Sequence, residues 1–188
     1  MTVDALIEAT ARILVREGFD KASTNRIAEA AGVSVGSLYQ YYPSKEALVA
    51  AVIDRHNQEI MQVVLAAFAD VALLPVEIAV RRLVAVAIKA HQIDPKLHRV
   101  LAEQIPRTGR LADVEAFGRE TYALFRAYLE AHRGELRTTD LGMAAFVSVT
   151  SIEALAHTAV LNRPEKLGSA EVQALMDEAT RLVVGYLK

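Results

Sequence analysis

The chain contains no cysteine, so it can build neither a disulfide framework nor a thiolate site, which suits a reducing cytosol. It has no excess of positive charge either. The formal net charge is -2, so there is no bulk attraction to nucleic acid, and any such site must be local. The N-terminus carries Asp4 and Glu8 rather than a basic stretch, which argues against a signal peptide. No uninterrupted apolar run reaches the roughly 18 residues of a membrane span. The longest candidate, Val63 to Val76, is cut by Asp70 and Pro75. Also missing are a P-loop, G-x-S-x-G, H-E-x-x-H and any glycine fingerprint for a dinucleotide, so no enzyme is expected. Period-two alternation is nowhere sustained, which leaves little room for sheet. No repeat or low-complexity segment is present.

What is there reads as helix throughout. The 188 residues, 53% of them apolar, suffice for one compact unit or for a small domain joined to a larger one. Val3, Leu6, Ile7, Thr10 and Leu14 share a helical face, and Gly18 stops that helix. Thr24 to Ala31 is a short helix with Ser23 as N-cap and Gly32 as its break. Ser34 caps Val35 to Tyr41, and Ser44 opens a long helix reaching about Asp70. Further helices are expected from Pro75 to about Gln92 and from Pro95 to about Ile105. A break follows at Pro106 to Gly109. The last three helices run from Leu111 to about His132, Leu141 to about Leu161, and Ala170 to Leu187. The first 47 residues hold short helices and tight turns, and residues 48–188 hold longer helices with wide apolar faces. The expected organisation is therefore a head (1–47) and a helical body (48–188).

Half of the six tyrosines fall within four residues of the head, at Tyr39, Tyr41 and Tyr42. Two short helices joined by Ala31-Gly32-Val33-Ser34 match a helix-turn-helix. Ile27, Ala28, Ala31, Val33 and Leu38 are spaced to form its core, with Gly32 where positive φ is needed. Leu38 and Tyr42 share the inward face of the second helix. That leaves Val35, Ser37, Tyr39, Gln40 and Tyr41 outside, with Gly36 allowing close approach. Short donors, one amide and a methyl group suit base edges in a major groove. Tyrosine hydroxyls bond phosphates without bringing charge. Arg26 and Lys45 are the cations assigned to this face, Lys45 because it starts a helix whose free N–H groups favour phosphate. The head holds Arg12, Arg16, Lys21, Arg26 and Lys45 against Asp4, Glu8, Glu17, Asp20, Glu29 and Glu46, so modest non-specific affinity and reliance on a dimer are expected. The same geometry also occurs outside DNA binding, and exposed tyrosines can be plain packing.

The stretch STNRIAEAAGVSVGSLYQYYPSKEALVAAV resembles the DNA-binding head of the TetR family of transcriptional regulators. The resemblance rests on Ile27-Ala28, Ala31-Gly32-Val33-Ser34, Gly36-Ser37-Leu38-Tyr39-Gln40-Tyr41-Tyr42 and Ser44-Lys45-Glu46-Ala47-Leu48. It covers about 45 N-terminal residues. Val35 stands where the family often has Lys or Arg, and Tyr42 where it usually has Phe. The resemblance implies an all-α fold, a homodimer, a double-stranded DNA operator, and a small molecule that controls release.

In the body, Glu153 and His157 stand at i, i+4 and are read as a helical side-chain pair. His91, His98 and Glu103 lack a third partner at metal spacing, so no metal and no cofactor is expected. Leu141, Ala145, Ser148, Ile152, Leu155 and Ala159 repeat at helical spacing, and so do Val172, Leu175, Met176, Ala179, Leu182, Val183 and Tyr186. The first of these helices has a second apolar face at Ala144, Val147, Ser151, Ala154 and Thr158. A helix apolar nearly all round must be buried on two sides. These two helices are therefore assigned to a four-helix dimer seam, where the resemblance places it too. A core helix in a monomer is the alternative. A ligand pocket is expected between Pro75 and Leu161, with His91, Gln104, Tyr122, Phe125, Phe146, Thr150 and His157 as candidate anchors. With no cluster of acids or bases among them, an apolar or aromatic effector is expected. The favoured function is a repressor released from a palindromic operator by that effector. An activator or protein-regulated protein of the same fold, or an all-α binding protein or enzyme without DNA binding, are the alternatives.

Overall fold

Nine α-helices and one short 3-10 turn make up the secondary structure in this computed structural model, with no strand among the described residues. The description covers the backbone of residues 2–108, 111–162 and 168–188. It covers side chains within those ranges except 103–108, 111–117 and 162. In chain order the helices are α1 (Thr2–Glu17), α2 (Thr24–Ala31), α3 (Val35–Tyr41), α4 (Lys45–Val71), α5 (Val76–His91), α6 (Pro95–Thr108), α7 (Leu111–Ala131), α8 (Leu141–Asn162) and α9 (Ser169–Leu187). The chain divides into two compact units, residues 1–59 with 96–114, and residues 60–95 with 115–188.

The first unit is larger than the expected head of 1–47. Three short helices expose too much backbone for the apolar area they share. The unit completes its core with Leu48, Val49, Val52 and Ile53 of α4 and with Leu97 and Leu101 of α6, packed with Leu6, Leu14, Ile27 and Leu38. Gly18 ends α1 at φ 79°, as its position predicts. One helix end departs from expectation: α6 runs on through Pro106 to Thr108. Proline at 106 lacks the N–H that would bond the carbonyl four residues back, so one ladder bond is missing in the last turn while the helix runs on.

The second unit is built on α5, α8 and α9, with the C-terminal half of α4 and α7 completing its core. Pro75 cannot cap α5, and the Glu135 carboxylate accepts from the Val76 N–H at 3.2 Å instead. Arg81 of α5 pairs with Asp177 of α9. Among the described residues, one stretch of α8, Leu141–Leu161, is long and apolar enough by length and composition to cross a bilayer, at mean hydropathy 1.5, although serines, threonines and Glu153 interrupt it. Its buried side chains lie in this unit's core.

The dimer seam is corrected by the same core. Leu141, Ala145, Ser148 and Ile152 of α8, and Ala179 and Val183 of α9, are all buried within the one chain. Leu155, Val172, Leu175 and Met176 are half-buried against that core. A residue with no accessible surface in the monomer has none to give a partner. Both apolar stripes exist, but the stripe read as the seam faces inward. The exposed apolar groups are Met143 and Phe146 on α8 and Leu182 and Tyr186 on α9. Of the assigned seam residues, Leu182 and Tyr186 are exposed, at 56% and 41%.

Candidate nucleic-acid interface and ligand cavity

Each turn of the first unit's helix-turn-helix is closed by short-range hydrogen bonds. The Ser23 hydroxyl accepts from the Arg26 N–H at 3.4 Å, starting α2. Gly32 ends it at φ 68°, and the Val33 N–H returns to the Ala28 carbonyl at 3.0 Å. The Ser34 hydroxyl accepts from the Ser37 N–H at 3.0 Å and starts α3. The Ser44 hydroxyl accepts from the Ala47 N–H at 3.2 Å and starts α4. Ile27, Ala28 and Leu38 are fully buried between the helices. Ala31, Val33, Val35 and Tyr42 are partly buried against them. Burial is also the leading cause that pushes the Tyr42 phenol up.

The exposed side of α3 presents Gly36, Tyr39, Gln40 and Tyr41. The Tyr39 hydroxyl bonds the Thr24 hydroxyl at 3.1 Å, which ties the exposed end of α3 to the start of α2. Ser37 is half-buried and its hydroxyl lies 2.9 Å from that of Ser34, so its first commitment is to the cap. A Cβ on Gly36 would meet only the Ser34 hydroxyl, at 3.8 Å. Nothing inside the chain therefore demands glycine there, and the open space lies outward.

Three assignments change. Val35 packs partly into the head core rather than standing free. Both cations are occupied. Arg26 forms a two-pronged pair with Glu17, one prong at 2.7 Å. The Lys45 ammonium donates to the Phe19 carbonyl at 2.9 Å and sits 4.0 Å from the centre of the Phe19 ring. The α3 face itself is thus hydroxyl and amide, with its neighbouring cations neutralised or tethered.

The second unit holds a cavity of about 40 Å³ lined by α4, α5, α7 and α8. Ile60, Val64, Ala67 and Phe68 come from α4. Leu83, Val86, Ala87, Ala90 and His91 come from α5. Thr121 and Phe125 come from α7, and Val149, Ile152 and Glu153 from α8. The volume has room for about three waters. A small-molecule ligand needs several hundred Å³, so it enters only if these walls move apart.

Of the expected anchors, His91 and Phe125 line this cavity. His157 is not one of the lining residues, and its ring lies edge-on to His91 at 5.7 Å. Tyr122, Phe146 and Thr150 do not line it. They form their own cluster, with the Tyr122 ring 5.6 Å from Phe146 and its hydroxyl 3.3 Å from that of Thr150. The side chain of Gln104 lies outside the described residues. The α4 wall was missed, although Ile60, Val64 and Ala67 repeat at helical spacing, because α4 was read as the link between domains. Glu153 was missed as an anchor because its i+4 neighbour His157 suggested a local pair. Its carboxylate instead lies 3.6 Å from His91 Nε2.

Residues 6–52 match the bacterial regulatory proteins of the tetR family, and residues 75–187 match the tetracyclin repressor-like C-terminal domain. Among curated relatives, the nucleoid occlusion factor SlmA of Haemophilus ducreyi is 45% identical over 42 residues, covering 22% of this chain. The chain spans about a fifth of that relative's length, 21%. Among solved structures, a protein of Mesorhizobium loti assigned to the TetR-family transcriptional regulators superposes with a TM-score of 0.80 at 19% identity, covering 98% of this chain and 95% of that one. SmeT, the repressor of the Stenotrophomonas maltophilia multidrug efflux pump SmeDEF, superposes with a TM-score of 0.72 at 22% identity, covering 100% and 91%. At these identities the structural likenesses establish the fold, while the sequence matches over head and body establish the lineage. The chain belongs to the TetR family of bacterial transcriptional regulators.

Proposed function

We propose that this protein is a sequence-specific DNA-binding repressor. It acts in the cytoplasm as a homodimer on a two-fold operator, and a small molecule in the second unit's cavity releases it. The observation that carries the reading is the α3 face. A capped seven-residue helix exposes Gln40, Tyr39 and Tyr41 around a glycine that no internal contact requires. Gln40 reads a base edge, Tyr41 bonds phosphate, and Tyr39, braced on Thr24, holds the register. The same fold serves a repressor in SmeT. No residue is assigned a catalytic role.

The dimer uses the exposed faces of α8 and α9, where Met143, Phe146, Leu182 and Tyr186 lie. Control runs through α4, whose N-terminal half packs in the first core and whose C-terminal half walls the cavity. Opening the cavity displaces that wall, and a dimer must space its recognition helices by about 34–36 Å or a multiple. A hundredfold loss of operator affinity needs about 2.7 kcal/mol of coupling.

The test is selection of binding sites from a random DNA pool. A palindromic consensus is expected, with Gln40→Ala relaxing one position per half-site by about 1–3 kcal/mol. A flat pool, or an unchanged consensus with the variant, refutes the assignment.

A further inference from the structure

No metal was expected, because Glu153 and His157 have no third donor at metal spacing along the chain. The fold supplies one. His91 comes from α5, and Glu153 and His157 stand at i, i+4 on α8, so the two share a helical face. His91 Nε2 lies 3.6 Å from Glu153 Oε2. The His91 and His157 rings are edge-on with centres 5.7 Å apart, and a ring nitrogen of one lies within 4.8 Å of a ring nitrogen of the other. All three residues belong to the second unit. Two imidazoles and a carboxylate are thus gathered from two helices at one edge of the cavity.

The spacing suits one small ion. The His91 Nδ1 lies 2.8 Å from the Ala87 carbonyl oxygen, and a carbonyl only accepts, so Nδ1 carries the hydrogen and Nε2 is the nitrogen that coordinates. A ligating histidine commonly has its other N–H tied in this way. Zinc bonds imidazole at about 2.0–2.1 Å and carboxylate at about 2.0–2.2 Å, so one ion spans the 3.6 Å between Nε2 and Oε2 at an angle of roughly 120°, near tetrahedral. Two nitrogens on one tetrahedral zinc stand about 3.4 Å apart, so the His157 ring has on the order of 1–2 Å to close, which rotation about its side-chain bonds supplies. Metal binding displaces protons from its ligands, so an ion replaces whichever proton or partner Nε2 holds, and the site does not depend on the charge of His91.

We propose that His91, Glu153 and His157 form a binding site for a divalent transition-metal ion of the zinc kind, with two imidazole nitrogens and one carboxylate oxygen on the ion and a fourth position taken by water. The site stands apart from the repressor reading and from whatever else the cavity takes up. Its donor set selects the ion. Imidazole suits zinc, nickel and copper, whereas magnesium keeps to oxygen donors and water. Burial, and then His91, hold the His157 imidazole below its usual range, which leaves it a lone pair to give at neutral pH. Glu153 keeps 40% of its side-chain surface exposed and His157 is half-buried, which opens a path for the ion and room for its water. Because the ligands come from α5 and α8, a bound ion clamps the two helices together.

The test is calorimetric titration of zinc(II) into the full-length protein without a histidine tag, with magnesium(II) as the control ion. One tight zinc per chain is expected, together with a higher melting temperature at saturating zinc. His157→Ala and Glu153→Gln are each expected to weaken zinc by about tenfold or more. His132→Ala, which removes a histidine stacked on Tyr128 instead, should leave zinc affinity unchanged. No zinc uptake, magnesium held as tightly as zinc, or a zinc affinity that both His157→Ala and Glu153→Gln retain overturns the site. If these variants do not fold, cobalt(II) bound to the wild-type protein decides. Intense visible bands of a four-coordinate ion uphold the site, and the faint bands of a six-coordinate ion overturn it.

Discussion

Phe146→Glu is expected to separate the dimer without unfolding the chain. Phe146 is 49% exposed on α8, and about half of a side chain of roughly 200 Å² leaves roughly 100 Å² for a partner to cover. At about 25 cal/mol per Å² that is about 2.5 kcal/mol for one copy, and about 5 kcal/mol for the two copies of a two-fold seam. At about 1.4 kcal/mol per tenfold, deleting the contact weakens dimerisation by between about three and four orders of magnitude, and an unpaired carboxylate in the seam adds to this. Inside the chain the substitution gives up the covered half of the ring, about 2.5 kcal/mol by the same measure, and with it the edge contact with Tyr122, about 0.5–1.5 kcal/mol more. Sedimentation velocity should show a folded monomer at micromolar concentration, with a lowered but cooperative melt. Leu155→Glu is the contrast. Leu155 packs against the second unit's core, so its charge should lower the melting temperature rather than cleanly dissociate the protein. A Phe146→Glu protein that stays dimeric with wild-type affinity, or a wild-type protein that is monomeric at those concentrations, refutes the seam.

Gly36→Ala should leave the melt unchanged or raise it, because its Cβ meets nothing closer than 3.8 Å and alanine is the better helix former, by up to about 1 kcal/mol. The same variant should lose operator affinity in a mobility-shift titration; unchanged affinity would show that no DNA backbone approaches that position. Glu17→Gln should free Arg26 and steepen the log–log salt dependence of DNA binding by about 0.9, while costing at most about 1 kcal/mol of stability. A slope identical to wild type would place Arg26 away from the phosphates. The effector should bind free protein more tightly than operator-bound protein by the same factor by which it weakens operator binding, and equal affinities in the two titrations would rule a compound out as inducer.

The amino-acid sequence by itself determined whatever closes within a few residues. Ser23, Gly32, Ser34 and Ser44 each act on a backbone group three or four positions away, so their caps and the bounds of α2 and α3 follow from composition and spacing. The outward position of Tyr39, Gln40 and Tyr41 follows from the same periodicity, given Leu38 inside. Partnerships made in space were decided only by the tertiary structure. Arg26 and Lys45 read as free cations, because Glu17 and the Phe19 carbonyl reach them through the fold of the head. Periodicity showed that α8 has two apolar stripes but not which one the core takes. Both have the same repeat, and the choice is made where α5 and α9 pack against one side. Glu153 could be placed beside His157 by counting, whereas its approach to His91 required α5 and α8 to be brought together. Hydrophobic spacing marks a face as apolar, but burial belongs to whichever face finds a neighbour first, and that depends on elements far away along the chain.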